Sequence, residues 1–204
     1  MKRTCKTKKL KPTQFAVGEF EVMSKLHELE GKKRRRAKAL MRHVVPVAIS
    51  PDGEYYALDH HHFVLAALRA GIKRVRIDVR MDYSGRSMSR GAFWKSMDRR
   101  GWLYLFDQFG DGPREPLYLP ISMQGMSDDP YRSLAWMVRQ AGGYGSDDDL
   151  YYAFRWGEFF RKHRLLLGSE RRDLKKILPA ALQLAGSPQA RKLAGYLGKK
   201  RARR

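Results

Sequence analysis

Pro51-Asp52-Gly53-Glu54-Tyr55-Tyr56-Ala57-Leu58-Asp59-His60-His61-His62-Phe63-Val64-Leu65-Ala66-Ala67-Leu68 reads as a turn, a strand and a helix in immediate succession. Pro51-Asp52-Gly53 has turn chemistry, and residues 55–58 form an aromatic-rich strand. Residues 62–70 carry an apolar helix closed by Gly71 as its C-cap. The strand ends at Asp59, three histidines follow, and the helix starts among them. Free backbone N–H groups and polar side chains therefore meet at a helix N-terminus, an arrangement suited to an anion such as phosphate. A metal is a second reading. Three consecutive residues cannot all address one ion, and His60 with His62 share a face only in extended chain, with a carboxylate from elsewhere. A third reading makes Asp59 an N-cap and the histidines capping or core groups.

Outward from this stretch, Val44-Val45-Pro46-Val47-Ala48-Ile49 is a buried-type strand that Pro46 places at an edge or bulge. Across 74–81, Val75, Ile77, Val79 and Met81 alternate with Arg74, Arg76, Asp78 and Arg80, the pattern of a half-exposed strand. Upstream, a short strand near 9–11 meets Pro12. A helix over 18–29 presents Phe20, Met23, Leu26 and Leu29 on one face, and the basic run 31–38 is a solvated loop or helix extension. Downstream, 89–100 reads as a helix, and 103–125 as irregular chain with short strands at 103–106 and 117–121. Asp128-Asp129-Pro130 caps a helix over 131–141, Asp147–149 caps another over 150–164, and 170–197 holds one or two more. The aromatic stripe Tyr151, Tyr152, Phe154, Trp156, Phe159 and Phe160 falls at helical spacing and reads mostly as core. The expected organisation is a basic disordered tail over 1–7, an α+β domain over 8–125, a helical extension over 126–197 and a basic tail over 198–204.

The 204 residues carry a net charge of +21, and all of the excess sits at the ends: +10 over 1–42, −1 over 43–160 and +12 over 161–204. Solubility is the bland account of such ends; binding to nucleic acid, which basic runs favour through phosphate affinity, is the sharper one. The contact candidates are Lys32, Lys33, Arg34, Arg35 and Arg36 in one run and Lys199, Lys200 and Arg201 in the other. A membrane surface is the weaker reading, because neither run adjoins an amphipathic helix with large apolar anchors. No apolar run approaches the ~20 residues of a membrane span. Lys8, Lys9 and Lys11 stand where a signal sequence needs its apolar region. The single cysteine, Cys5, allows no internal disulfide. A cytoplasmic location is expected.

The hairpin, the Asp-X-His-His string and the Ala/Leu helix ending in glycine together resemble the nucleotide-site motif of the ParB/sulfiredoxin superfamily. Leu10-Lys11-Pro12-Thr13-Gln14 followed by Val17-Gly18-Glu19-Phe20-Glu21-Val22 resembles the first box of that fold. Phe93-Trp94, Asp128-Asp129-Pro130-Tyr131-Arg132-Ser133-Leu134-Ala135 and Phe154-Arg155-Trp156-Gly157-Glu158-Phe159-Phe160 resemble the narrower ParB-like nuclease group. The resemblance spans about residues 8–164. It implies an α+β fold, a ParB/sulfiredoxin-like small mixed sheet with helices, followed here by an all-helical C-terminal extension.

Superfamily members use this motif to bind a nucleoside triphosphate, for CTP-switched DNA clamping, sulfinate phosphorylation or phosphorylation of free serine. His61 stands where sulfiredoxin has its reactive cysteine, which excludes that activity. The kinase branch carries Asp-Gly-His-His-Arg where this chain has Asp59-His60-His61-His62-Phe63, so the glycine and the phosphate-facing arginine are both replaced, with Arg69 a substitute candidate. The glutamate-arginine-arginine of partition proteins is absent.

By resemblance, Glu21 (or Glu19) corresponds to a general base near the first helix. Asp59 and His61 complete the catalytic candidates; His60, His62, Lys11, Gln14 and Arg132 are the ligand-binding candidates. A nucleoside triphosphate and a divalent metal such as Mg2+ are the cofactor candidates that the resemblance implies, with no metal ligand set assigned. The expected function is nuclease or related phosphoryl chemistry on a nucleotide or nucleic-acid phosphate. The alternatives are a non-catalytic, chromosome-partitioning-like DNA-binding protein and an ATP-dependent kinase for a small molecule.

Overall fold

The computed structural model describes residues 3–147, 151–166 and 173–198. The chain divides into two compact units, one of Met1–Val17 with Glu21–Asp128, the other of Gly18–Phe20 with Asp129–Arg204.

The first unit is α+β. Its sheet has the order β1-β6-β4-β5-β2, formed by β1 (Arg3–Lys6), β6 (Arg74–Asp82), β4 (Val44–Ile49), β5 (Tyr55–Ala57) and β2 (Leu10–Lys11). The pairings are mixed: β1/β6 and β4/β5 run antiparallel, β4/β6 and β2/β5 parallel. Two-residue strands β3 (Ala16–Val17) and β7 (Ser127–Asp128) pair separately in parallel. Alternate residues of the same strands supply two hydrophobic clusters. Val45, Val47 and Ala57 join Phe63, Val64, Ala66 and Ala67 of α3 (His61–Arg69). Ala48 and Tyr56 join Phe93 and Met97 of α4 (Arg90–Arg99). This is the period-two logic of a sheet covered on both faces. Six of the nine α3 residues are buried. The helix stops where Gly71 takes φ +68° and Ile72 N–H closes back onto Ala67 O at 2.8 Å.

Several expectations need correction. Residues 3–6 of the expected tail are an edge strand, with Thr4 opposite Arg76 and only Cys5 buried. Arg74, opposite Lys6, also donates from Nε to Thr4 Oγ1 at 3.0 Å. Edge strands are commonly blunted with charge, which is why this one reads as a tail. Pro46 lies in the central strand, not at an edge; the register shift falls one pairing later, between Val47 and Ala48. The missing Pro46 N–H faces the end of β5, where Leu58 N–H donates to Pro46 O at 2.9 Å. The run 31–38 enters a separate helix, α2 (Lys33–Arg42). In α1 (Glu19–Glu30) the buried residues are Val22 and Leu29, while Phe20 and Met23 stand 36% and 51% exposed. Residues 117–121 begin as a 3-10 turn at Pro116–Tyr118 instead of a strand.

The second unit is helical: α5 (Pro130–Gln140), α6 (Tyr152–Lys162) and α7 (Leu174–Ala185). Trp156 is fully buried, stacks on Tyr144 at 4.3 Å and donates from Nε1 to Ala194 O at 2.9 Å. Gly18 packs so tightly on α5 that a Cβ there would lie 2.7 Å from Ser133 N. Asp129 caps α5 by accepting Tyr131 N–H at 2.9 Å, with Pro130 in the first turn, as the sequence leads one to expect. The basic candidates Lys199, Lys200 and Arg201 lie outside the described residues.

Candidate functional site

The three histidines diverge because the chain changes conformation among them. Asp59 is exposed, and its Oδ1 accepts His60 N–H at 2.6 Å. His60 then adopts the left-handed region, φ 62° and ψ 26°, as the N-cap of α3, with no side-chain cap hydrogen bond. That conformation costs a non-glycine residue about 1–2 kcal/mol.

His61 points inward and is only 4% exposed. Its Nε2 accepts Thr13 N–H at 3.1 Å, and Thr13 Oγ1 lies 3.3 Å away, itself donating to Ala57 O at 2.8 Å. The imidazole thereby ties the β2–β3 connection to the start of α3. His61, a catalytic candidate in the sequence, is thus the buried member of the run, with Nε2 held by Thr13.

His62 turns toward α1, where its Nδ1 lies 3.6 Å from Glu21 Oε2. Glu21 Oε1 in turn lies 3.4 Å from Lys25 Nζ one helical turn on. Glu21, His60 and His62 are therefore brought to one place, with Asp59 exposed at its rim.

Two members went unread in the sequence. His43, immediately after α2, sets its ring edge to His60 at 5.1 Å and stacks on Phe63 at 4.4 Å. Its buried Nδ1 has no hydrogen-bond partner among the described residues. Lys25 is the other, a cation close enough to act on both His43 and His60. Burial, reinforced by Lys25, His60 and Arg42, lowers the His43 pKa to about 4. Burial likewise lowers that of His60, with Asp59 and Glu21 opposing. At neutral pH both rings are uncharged.

Other candidates lie elsewhere. Lys11 pairs with Glu54 at the α4-facing cluster and not with the histidines. Gln14 is buried, donating from Nε2 to Ala16 O at 2.7 Å. Arg132 belongs to the second unit, with its guanidinium over the Phe154 ring, 3.3 Å from the centroid. Lys32 is the N-cap of α2, and Lys33, Arg34, Arg35 and Arg36 fill its exposed first turns. Among the described residues, no three His, Cys, Asp or Glu side chains gather closely enough to hold a metal ion.

The shift at His43 has a measurable consequence. A histidine whose folded pKa is depressed favours folding above its unfolded pKa, near 6.5; that contribution is lost as the pH falls toward the folded value. Melting temperature should therefore fall between pH 6.5 and about 4. His43→Phe, which keeps the ring on Phe63 but cannot titrate, should flatten the decline. Equal slopes for the two proteins would remove His43 as its cause.

The family described as "Putative ParB-like nuclease" matches residues 3–162. Protein Atu1540 from Agrobacterium tumefaciens, a crystal structure, is 33% identical, covers 98% of this chain and 100% of its own, and has a TM-score of 0.86. Two structures of the C-terminally truncated chromosome-partitioning protein ParB from Caulobacter crescentus are each 18% identical. The one complexed with CTP-γ-S covers 87% of this chain and 99% of its own, with a TM-score of 0.30. The one complexed to the centromeric parS site covers 93% and 98%, with a TM-score of 0.32. No curated protein matches.

Proposed function

The chain belongs to the family described as "Putative ParB-like nuclease", and on that premise we propose that the cluster at the start of α3 binds a phosphodiester of nucleic acid and cleaves it. The observation that carries this reading is the continuity of α2 with the cluster. A helix that opens on Lys33-Arg34-Arg35-Arg36 ends on His43 as its C-cap, and His43 packs against His60. No side chain caps the N-terminus of α2 and no acid lies in its first turn. Four cations at the positive end of a helix dipole repel it, and a polyanion relieves that repulsion. A backbone tracked by α2 is led to the histidines.

The charge of the cluster favours one phosphodiester over a triphosphate. Lys25 already faces Glu21, His43 and His60 are neutral, and Phe63 is buried where the kinase branch has its arginine. The cluster holds no surplus positive charge, so the single charge of a phosphodiester is tolerated there better than the several of a triphosphate. In this reading Glu21 orients His62 through Nδ1, and Nε2 takes a proton from the attacking water. As the water oxygen bonds to phosphorus the scissile P–O bond breaks, and solvent protonates the leaving oxygen. The uncharged His60 and the first N–H groups of α3 face the phosphate oxygens.

The test is binding of a fluorescent 20-base-pair duplex by anisotropy over a salt series, with cleavage followed on gels. Affinity should fall steeply with salt. Substituting Lys33, Arg34, Arg35 and Arg36 by glutamine should lower affinity at least tenfold and flatten the salt slope by about 0.9 for each phosphate no longer neutralised. Salt-independent binding, or none, would overturn the reading. Binding without cleavage would favour the non-catalytic DNA-binding alternative, and a raised melting temperature with ATP and Mg2+ the kinase alternative.

A further inference from the structure

The sheet face that packs against α4 holds a second polar constellation that the histidine cluster does not use. A cavity of about 210 Å³ opens there, walled by Lys11, Tyr56, Arg90, Trp94, Pro116 and Pro120 among others. A neighbouring cavity of about 550 Å³ shares Arg90, Trp94, Pro116 and Leu117 with it. We propose that this cavity binds a planar aromatic anion, a single ring bearing one carboxylate or one phosphate group.

Three observations point there together. The charged side chains lining the smaller cavity are both cations, Lys11 and Arg90. Both are drawn to Glu54, which stands outside the lining: Lys11 pairs with its Oε1, Arg90 lies 3.4 Å from its Oε2, and Tyr56 O–H donates to the same Oε2 at 3.0 Å. Asp52, 3.9 Å from Arg90 and exposed, is also outside the lining. Two cations thus line the cavity while the carboxylates that pair with them do not, a setting for an incoming anion.

The second observation is Trp94. Its indole lines the cavity beside Arg90 and offers a flat aromatic wall to a planar ring. The third is the shape of the walls. Tyr56 and Trp94 meet edge to face at 5.0 Å, and prolines line the cavity beside them. At its rim Leu117 and Ile121 are 72% and 86% exposed, apolar side chains left for a ring to cover.

Isothermal titration of the whole protein decides it, with benzoate and phenyl phosphate as probes and benzamide as the uncharged isostere. One of the two anions should bind one to one, and benzamide at least tenfold more weakly; the stronger anion identifies the acidic group. Arg90→Gln should weaken that anion at least tenfold, and Trp94→Ala, which removes the aromatic wall, at least threefold. His62→Gln should leave its affinity unchanged, since the cavity is separate from the histidine cluster. No saturable heat from either anion, equal binding of benzamide, or full affinity in Arg90→Gln would each overturn the proposal. So would loss of affinity in His62→Gln.

Discussion

Replacing His62 with glutamine is expected to slow phosphodiester cleavage by about 10²–10⁴-fold, the contribution of a positioned general base, without change in DNA affinity or melting temperature. His62 is the imidazole whose Nδ1 faces a carboxylate, at 3.6 Å from Glu21 Oε2. Glu21→Gln should slow cleavage less, because the base remains and only its orientation is loosened. The pair should act as a unit: Glu21→Gln in a His62→Gln background should cost nothing further. Such non-additivity marks coupled groups and would not arise if Glu21 were a solvated charge paired with Lys25. His61→Leu provides the contrast. It removes the acceptor that holds Thr13 N–H, so the expected loss is stability, about 1–3 kcal/mol for a buried donor left unpaired. A His61→Leu protein that folds normally yet cannot cleave, beside an active His62→Gln, would reverse the roles given to these neighbours.

That reversal of emphasis within one histidine run shows where sequence reasoning ended. The strand–helix junction around Asp59, the β6 alternation and the Asp129–Pro130 cap were legible because each follows from local periodicity or local capping chemistry. The direction of each histidine was not. It depends on His60 taking a left-handed turn, a conformation that glycine would have announced and histidine does not. His43 and Lys25 carry no motif; what makes them members of the cluster is the packing of α1 and α2 beside α3, a long-range fact. Lys11 lies apart from the histidines for a different reason. It sits in a box that resembles a functional one, but the two-residue period of β2 sends it to the α4 face, away from Leu10 and the α3 cluster. Similarly, the α2 run reads as solvated charge because propensity alone gives no reason for a helix to begin with Lys33-Arg34-Arg35-Arg36.

Asp129→Ala should destabilise the second unit by about 3–5 kcal/mol, the usual result of removing one partner of a buried ion pair. In melting temperature that is a drop on the order of 10 °C. Asp129 is 4% exposed; Oδ1 accepts Tyr131 N–H at 2.9 Å while Oδ2 accepts from Arg161 at 2.6 Å. Arg161 is itself largely covered, lying over the Tyr131 ring at 4.7 Å. Burial raises the Asp129 pKa despite the nearby Arg161 and Arg132, so on acidification the native protein takes up this proton before the unfolded chain does, and the group opposes acid unfolding. The pair is thus costly to break without being a large net source of stability. Asp129→Ala combined with Arg161→Met should accordingly be less damaging than Asp129→Ala alone, and a double variant worse than the single would refute that account. Other residues of Asp128-Asp129-Pro130-Tyr131-Arg132-Ser133 also serve the fold. Pro130 begins α5, the Tyr131 hydroxyl accepts Leu166 N–H at 3.2 Å, and Ser133 Oγ accepts Phe20 N–H at 3.1 Å. These tasks are architectural, so substitutions at Pro130, Tyr131 and Ser133 should register in a thermal melt rather than in a cleavage assay.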